Sequence, residues 1–306
     1  MVSGQRNDDV QSLRLRFPDV SILRGDLTDY ASVLSAIQTS NRTEIYNLGA
    51  RSHVGLSFLQ PELTADVTGL GILRILEFCR ALGLVETVKV YQASSSEMFG
   101  KVRETPQNEL TPFYPRSPYG VAKVFAHYTA VNYREAYGMH VSTGILFNHE
   151  GPYRSHEFVT RKITRAVAQI RLGVASELKL GSLEPKRDWG FAGDYVEAMW
   201  KIVQQDKPDD YVIATGVTHS VREFAVAAFE AAGIPDGVER FVKFDPNLIR
   251  PSEVDLLVGD ASKAKSDLNW VPKTSFQELV TLMVRYDILL EAKSLVMTPP
   301  DTPVTT

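Results

Sequence analysis

Two short segments carry residues whose types and spacing favour proton-transfer chemistry. The first ends an apolar run with a cluster of serines, including Ser95, followed by Glu97. The second begins with a Ser-Pro pair, which is typical of a helix N-terminus, and continues with Tyr119 and Lys123. Residues four apart lie on one helix face. A hydroxyl, a carboxylate, a phenol and an ammonium that converge favour proton-coupled hydride chemistry at a sugar carbon.

The Tyr119 and Lys123 pair has a clear physical rationale as a base. A phenol with its ordinary pKa of about 10 is too weak a base at neutral pH, and a nearby ammonium lowers that value. The same spacing also occurs in many helices without function, as a half-buried Tyr beside a solvated Lys. The Ser-rich segment has its own alternative, a simple turn at a strand end.

Composition limits the classes of function. The chain has 306 residues, a net charge of -4 and one cysteine, so we expect no intrachain disulfide and a reducing, cytoplasmic location. The charge gives no reason to expect nucleic acid as a partner. No apolar run is long enough to span a membrane, and no cluster of Cys, His and acidic residues has the spacing of a metal site.

The elements that must position these residues alternate along the chain, and this alternation predicts an α/β fold with a doubly wound parallel sheet. Strands are predicted at residues 20–23, 44–48, 87–93 and 140–146. Helices are predicted at residues 30–38, 65–82, 118–137, 158–172, 221–232 and 276–289.

A glycine-rich turn that would hold a dinucleotide pyrophosphate is missing from the pattern. The sequence Thr-Gly-Leu-Gly at residues 68–71 follows no predicted strand, and we interpret it as helix packing. We expect a chain that begins near the end of the second strand and lacks about 30–40 residues of an opening βαβ unit. The predicted sheet is therefore an N-terminally truncated Rossmann-like one.

Six segments together resemble the GDP-mannose 4,6-dehydratase family of extended short-chain dehydrogenases/reductases. They are residues 91–97, 112–120, 145–150, 186–190, 194–200 and 250–255. The resemblance implies an NADP-binding Rossmann-like domain at residues 1–152 and 190–217. It also implies a smaller C-terminal α/β domain for the sugar nucleotide at residues 153–189 and 218–296. Residues 297–306 are expected to form a disordered tail.

The resemblance also implies roles for the catalytic residues. Tyr119 would take the proton of the hydroxyl on carbon 4 of the sugar, with Lys123 beside it. Glu97 would remove the proton on carbon 5 and help water to leave from carbon 6. Ser95 stands where the family has threonine, which preserves the hydroxyl.

Cofactor contacts are implied at two strand ends and in a later segment. The implied NADP residues are Asp26, Leu27, Leu48, Gly49, Ala50, Arg51, Ser52, Lys123, His149 and Arg154. Taken alone, Asp26 is equally explained as the cap of a turn, and His149 as a buried histidine with satisfied hydrogen bonds.

Substrate contacts are implied for residues that suit a diphosphate and sugar hydroxyls. They are Asn148, Lys162, Arg187, Arg250 and Glu253. An ion pair with Asp188 or another nearby acidic residue is the alternative for Arg187. The resemblance further implies GDP-mannose as substrate and a homodimer or homotetramer, with neither nucleic acid nor a membrane as partner.

Two other functions remain open from the sequence. One is an epimerase or reductase of the same fold that acts on another nucleotide sugar. Such an enzyme eliminates no water and does not need the carboxylate of Glu97. The other is a catalytically incompetent fragment that associates with a full-length relative.

Overall fold

Strands and helices alternate in the computed structural model, which describes residues 13–40, 42–248, 254 and 256–297. The strands are β1 Glu44–Asn47, β2 Lys89–Ser95, β3 Val141–Leu146, β4 Asn148–Glu150, β5 Leu178–Leu180, β6 Lys186–Phe191, β7 Asp210–Ile213, β8 Thr218–Ser220, β9 Val242–Phe244 and β10 Leu256–Leu257. The α-helices are α1 Tyr30–Thr39, α2 Val54–Leu59, α3 Pro61–Thr64, α4 Gly71–Ala81, α5 Pro118–Tyr137, α6 Val159–Arg171, α7 Ala192–Gln204, α8 Val221–Ala231, α9 Gly237–Phe241, α10 Ser262–Leu268 and α11 Phe276–Met297.

The four-stranded sheet has the order β1-β2-β3-β7. β1 and β2 are parallel, and Asn47 at the carboxyl end of β1 lies opposite Gln92 in the middle of β2. A second sheet has the order β10-β6-β4, with β8 antiparallel to β6, and β5 pairs with β9. Because parallel neighbours end at the same edge, the segments after β1 and β2 leave the first sheet side by side.

The chain forms two compact units. Unit 1 comprises the described parts of Met1–Lys101, Thr111–Ile145 and Met199–Tyr211, and unit 2 comprises those of Val102–Leu110, Leu146–Ala198 and Val212–Thr306. Each unit has its own apolar core. Core side chains of unit 1 include Val33, Ile37, Ile72, Leu76, Val90, Ala126 and Ala130. Those of unit 2 include Ile163, Val167, Phe224, Phe229, Leu279 and Met283.

Helix α5 begins and ends where the sequence predicts. Ser117 has extended backbone, and its side chain accepts a hydrogen bond from the Gly120 N–H at 3.0 Å. Pro118 occupies the first turn, where its missing N–H costs nothing. Gly138 ends the helix in the left-handed conformation with φ +66°, which glycine adopts without a steric penalty.

The structure corrects one predicted strand. Residues 21–26 have no regular secondary structure, and Val20 and Leu23 are exposed. A strand needs a neighbour for its backbone hydrogen bonds, and none of the strands in the described residues pairs with this segment. The apolar pattern at residues 20–23 therefore does not produce a strand.

The predicted helix at residues 65–82 is present as two parts, a π-helix at Ala65–Leu70 followed by α4. The Thr-Gly-Leu-Gly sequence lies at their junction. A β-carbon at Gly69 would be 3.4 Å from Phe125 Cδ1 and 3.6 Å from the Ala122 carbonyl oxygen of α5, so this glycine lies in a helix–helix contact, as predicted. The expected disordered tail falls almost wholly on residues 298–306, outside the described residues.

None of the helices in the described ranges is long and apolar enough to span a membrane.

Candidate active site

The carboxyl end of β2 carries the predicted hydroxyl and carboxylate. Ser95 is buried and extended, and its Oγ accepts a hydrogen bond from the Glu97 N–H at 3.3 Å. This contact caps the 3₁₀ helix Ser96–Met98, which is one turn long. The hydroxyl of Ser95 and the carboxylate of Glu97 therefore project from one short, capped turn.

The first turn of α5 lies against that 3₁₀ turn because Gly120 has no side chain. A β-carbon at Gly120 would be 2.8 Å from the backbone oxygen of Glu97 and 3.1 Å from Pro115 Cβ. Tyr119 is the neighbour of this glycine and is 8% exposed. The structure thus brings the segment that bears Tyr119 beside the segment that bears Glu97.

Lys123 is buried one turn further along α5. Its Nζ donates a hydrogen bond to the Ala93 carbonyl at 2.7 Å and lies 5.7 Å from the centroid of the Tyr119 ring. Burial lowers the pKa of Lys123 from 10.5 to about 8. In such a poorly solvated site an ammonium interacts strongly with a phenolate nearby. The Lys123 ammonium therefore stabilises the phenolate form of Tyr119.

Two further residues that the sequence reasoning missed hold the acceptor of Lys123 in place. Gln92 Nε2 also donates to the Ala93 carbonyl, at 2.9 Å, and Gln92 Oε1 accepts from Asn47 Nδ2 at 2.7 Å. Both side chains are buried. The signal that would have identified them is an amide residue one position before the end of each of the predicted strands 44–48 and 87–93.

Asp26 makes the contacts expected of a turn cap. Its Oδ1 accepts hydrogen bonds from both the N–H and the hydroxyl of Thr28, each at 2.9 Å. The backbone hydrogen bond from Thr28, followed by the one from its side chain, lowers the pKa of Asp26. The carboxylate is therefore ionised at neutral pH and fixed in orientation, which is compatible with accepting a hydrogen bond from a ligand amine.

The segment after β1 lies against the segment around Asp26. A β-carbon at Gly49 would be 2.5 Å from Leu27 Cδ1, so the backbone at Gly49 packs directly against the Leu27 side chain. Leu27 is buried, whereas Leu48 is 54% exposed. The Arg51 N–H donates to Thr68 Oγ1 at 3.0 Å, which fixes the loop that also contains Ala50 and Ser52.

This arrangement fits a dinucleotide. Polar groups and a close glycine turn follow two parallel neighbouring strands at one edge of the sheet, which is where open α/β sheets bind such ligands. Two groups of residues expected at the cofactor lie together in unit 1. Asp26 and Leu27 lie beside residues 48–52, and Lys123 lies beside the catalytic segments. The expected contacts of His149 and Arg154 fall in unit 2.

His149 and Arg154 have partners within unit 2. His149 Nδ1 is 2.9 Å from the Phe147 carbonyl, and its ring stacks on Tyr195 at 5.1 Å. Arg154 Nε is 3.2 Å from Glu150 Oε2. Burial raises the pKa of Glu150, although the charge of Arg154 opposes the change. His149 is half-buried, and these contacts are compatible with the alternative that the sequence left open, a histidine with satisfied hydrogen bonds.

Three expected substrate residues also lie in unit 2. Asn148 in β4 pairs with Trp189 in β6, and Arg187 precedes Trp189 by two positions. Arg187 is 8% exposed, and its Nη1 donates to the Lys186 carbonyl at 2.9 Å. Burial lowers the pKa of Lys162 in α6.

Asp188, the alternative ion-pair partner of Arg187, binds backbone groups. Its Oδ1 accepts from the Thr215 N–H at 2.9 Å, and its Oδ2 from the Gly216 N–H at 2.8 Å. The remaining two expected substrate residues, Arg250 and Glu253, lie outside the described residues. Within the described ranges, no group of three or more His, Cys, Asp or Glu side chains could hold a metal ion.

Comparison with known proteins gives one consistent family. The model of the family described as GDP-mannose 4,6 dehydratase matches residues 4–283. A GDP-mannose 4,6 dehydratase of Drosophila melanogaster is 53% identical over 285 residues, which cover 88% of this chain and 72% of the relative. A GDP-mannose 4,6-dehydratase of Sinorhizobium fredii (strain HH103) is 52% identical over 279 residues, or 86% of this chain and 80% of the relative.

Among solved structures, RMD from Pseudomonas aeruginosa complexed with NADPH superposes with a TM-score of 0.79. The match covers 92% of this chain and 95% of that one, at 22% identity. The two proteins therefore share a fold, and the fold of this chain is α/β and Rossmann-like.

Proposed function

The chain belongs to the GDP-mannose 4,6-dehydratase family, and we propose that it converts GDP-mannose to GDP-4-dehydro-6-deoxy-D-mannose by loss of water. The observation that carries this proposal is the arrangement of four side chains in unit 1. Ser95 and Glu97 project from the capped turn after β2, and Tyr119 and Lys123 lie on the helix packed against that turn. NADP is the cofactor. When bound, it would supply the group that accepts hydride from carbon 4 of the sugar and gives hydride back at carbon 6.

Tyr119 is the proposed base for the hydroxyl on carbon 4. Removing the hydroxyl proton lets the carbon–oxygen bond become a ketone as the carbon–hydrogen bond breaks. The Lys123 ammonium, 5.7 Å from the Tyr119 ring, stabilises the phenolate that accepts this proton. Because the lysine is tied to the Ala93 carbonyl, it keeps this position without reorganisation during the reaction.

Glu97 is the proposed acid and base for the elimination. The ketone at carbon 4 acidifies the proton on carbon 5, and the carboxylate of Glu97 removes it. The carboxyl group then protonates the hydroxyl on carbon 6, which leaves as water. Such acid–base roles typically contribute about 10²–10⁴ in rate. Ser95 supports the developing charge on the sugar oxygen through its hydroxyl.

Unit 1 is the proposed cofactor unit. The segment that contains Asp26 contacts the segment 48–52. The ionised carboxylate of Asp26 suits an adenine amine. Lys123 is proposed to contact the nicotinamide ribose. His149 and Arg154 are also proposed to contact NADP, and the guanidinium suits a phosphate.

Unit 2 is the proposed site for the sugar nucleotide. Asn148, Lys162 and Arg187 are proposed to bind GDP-mannose, together with Arg250 and Glu253. Burial lowers the pKa of Lys162, and the negative charge of a diphosphate would raise it again. Protection of Lys162 from acetylation by GDP would support this assignment.

The chain is further proposed to form a homodimer or homotetramer. Apolar side chains on α5 at Val121, Phe125 and Tyr128 are 56%, 46% and 56% exposed, and their spacing places them on one helix face. Sedimentation equilibrium would measure the mass directly. Replacement of Phe125 with glutamate should release monomers, and a monomeric wild type would contradict the proposal.

A cytoplasmic location is proposed as well, because the single thiol, Cys79, is buried and unpaired by any disulfide. Cell fractionation followed by immunoblotting would test it.

The direct test of activity is incubation of the purified chain with GDP-mannose and NADP⁺. Mass spectrometry should detect a product lighter by one water, and Tyr119→Phe should make none. A sugar epimer or a reduced product instead would favour the epimerase or reductase alternative. A folded chain that binds no NADP but associates with a full-length relative would favour the fragment alternative.

A further inference from the structure

A buried chain of polar side chains lies directly behind the proposed catalytic residues. His127 follows Lys123 by four positions, as Lys123 follows Tyr119, so all three share one face of α5. His127 Nδ1 is 3.0 Å from Ser94 Oγ in β2 and 3.2 Å from Thr143 Oγ1 in β3. His127, Ser94 and Thr143 are all buried.

The ion pair between Arg134 and Asp210, at the far end of this hydrogen-bond network, determines which atoms donate hydrogen bonds. Arg134 binds the Asp210 carboxylate at 3.0 and 2.8 Å. Although burial disfavours the charge, these hydrogen bonds keep the pKa of Asp210 below its ordinary value. Asp210 Oδ1 accepts the proton of Thr143 Oγ1 at 2.9 Å. Since a hydroxyl has one proton, Thr143 can only accept from His127, whose Nδ1 must carry a hydrogen.

The His127 ring is neutral in this position, because burial lowers its pKa. It is therefore the Nδ1–H tautomer, and its N–H is shared between Ser94 and Thr143. Asp210 is in turn bound by Arg134, near the C-terminal end of α5. The hydrogen-bond network therefore begins and ends on this helix. The hydrogen bonds thus join α5 to β2, β3 and β7.

Successive turns of α5 hold consecutive residues of β2. Lys123 Nζ binds the Ala93 carbonyl at 2.7 Å, and His127 Nδ1 binds Ser94 Oγ at 3.0 Å. Ser95 follows directly. The helix cannot slide along the strand end without breaking both buried hydrogen bonds.

We propose that His127 is a positioning residue whose ring N–H fixes the register between the catalytic face of α5 and the carboxyl end of β2. The inference rests on the proposed dehydration. The register between α5 and β2 aligns the proposed base, Tyr119, with the proposed acid, Glu97. Misplacement of reacting groups by about 1 Å can cost about 10² in rate.

Two variants of His127 separate positioning from stability. His127→Leu removes the donor, whereas His127→Asn keeps an N–H on the atom bonded to Cγ, as in the ring. His127→Leu should lower kcat about 10–100-fold with KM for GDP-mannose unchanged, and His127→Asn should recover most of the loss. The control is His140→Leu, which removes a histidine whose Nε2 lies 2.9 Å from the Gln205 carbonyl. It should lower the melting temperature and leave kcat unchanged.

The tautomer is measured independently of activity. Nitrogen-15 NMR of histidine-labelled wild-type chain, with His127→Asn for assignment, should show a protonated Nδ1 and a bare Nε2 for His127. An Nε2–H tautomer would overturn the hydrogen-bond assignment. With an active wild type, an unchanged kcat in His127→Leu would overturn the positioning role of His127. Equal losses of kcat in His127→Leu and His127→Asn would overturn it as well. A wild type that shows the Nδ1–H tautomer but makes no product would contradict the proposed function and leave the hydrogen-bond assignment supported.

Discussion

Replacing the buried lysine with methionine tests the electrostatics of the site through folding stability. Lys123 is 4% exposed, and burial lowers its pKa from 10.5 to about 8. At about 1.36 kcal/mol per pKa unit, the folded chain pays about 3 kcal/mol to hold the ammonium at neutral pH. Lys123→Met removes this cost, and the Ala93 carbonyl keeps the side-chain amide of Gln92 as a donor.

The pH dependence follows from linkage. Below about pH 8 the folded and unfolded chains both carry the proton, so the cost is fully present. Between about pH 8 and 10.5 the unfolded chain keeps a proton that the folded chain has released, so the wild type becomes more stable as pH rises. The stability of Lys123→Met relative to wild type should therefore fall by about 2 kcal/mol between about pH 7 and about pH 9.5.

Urea unfolding of the wild type and of Lys123→Met across this pH range gives the difference in free energy of unfolding directly. Titratable groups other than Lys123 contribute equally to both proteins. Lys101→Met, which replaces an exposed lysine of the same unit, controls for the loss of one positive charge. A difference between Lys123→Met and wild type that stays constant with pH would refute the argument. The variant should also lose dehydratase activity, because the phenolate of the base loses its cation.

Three further changes have defined outcomes. Glu97→Gln should abolish the product lighter by one water yet leave formation of NADPH, followed by absorbance; full dehydration in this variant would contradict the assigned role. Asp287→Ala should lower the free energy of unfolding by about 3–5 kcal/mol in urea titrations, because it leaves Arg161, which is 2.7 Å from that carboxylate, buried and unpaired. Gly100→Ala should lower the melting temperature more than Gly83→Ala. Both glycines have positive φ, but only at Gly100 would the β-carbon meet a backbone carbonyl oxygen, at 2.0 Å; equal effects would contradict this.

Local signals were sufficient for the helix that carries the base. Ser117, Pro118 and Gly138 act within a few residues of the helix ends, and the structure confirms the helix at Pro118–Tyr137. The strand predicted at residues 20–23 is wrong because a strand depends on a neighbour that a local pattern does not reveal. Helix formation is local in this sense, whereas strand formation is not.

The supporting contacts of the site could not be read from the sequence for the same reason. Lys123 and its acceptor at Ala93 are 30 positions apart, and His127 and Ser94 are 33 apart. Only the packing of α5 against β2 brings these atoms together. The contacts of Asp26 with Thr28 lie two residues apart, which is why the turn-cap alternative was visible from the start.

The most direct test of the central claim follows one hydrogen through the reaction. GDP-mannose with deuterium on carbon 4 is incubated with the chain and NADP⁺, and the product is analysed by NMR and mass spectrometry. We expect a product that has lost one water and carries the deuterium on carbon 6. A dehydrated product without deuterium on carbon 6, or a carbon-4 epimer with its carbon-6 hydroxyl intact, would contradict it.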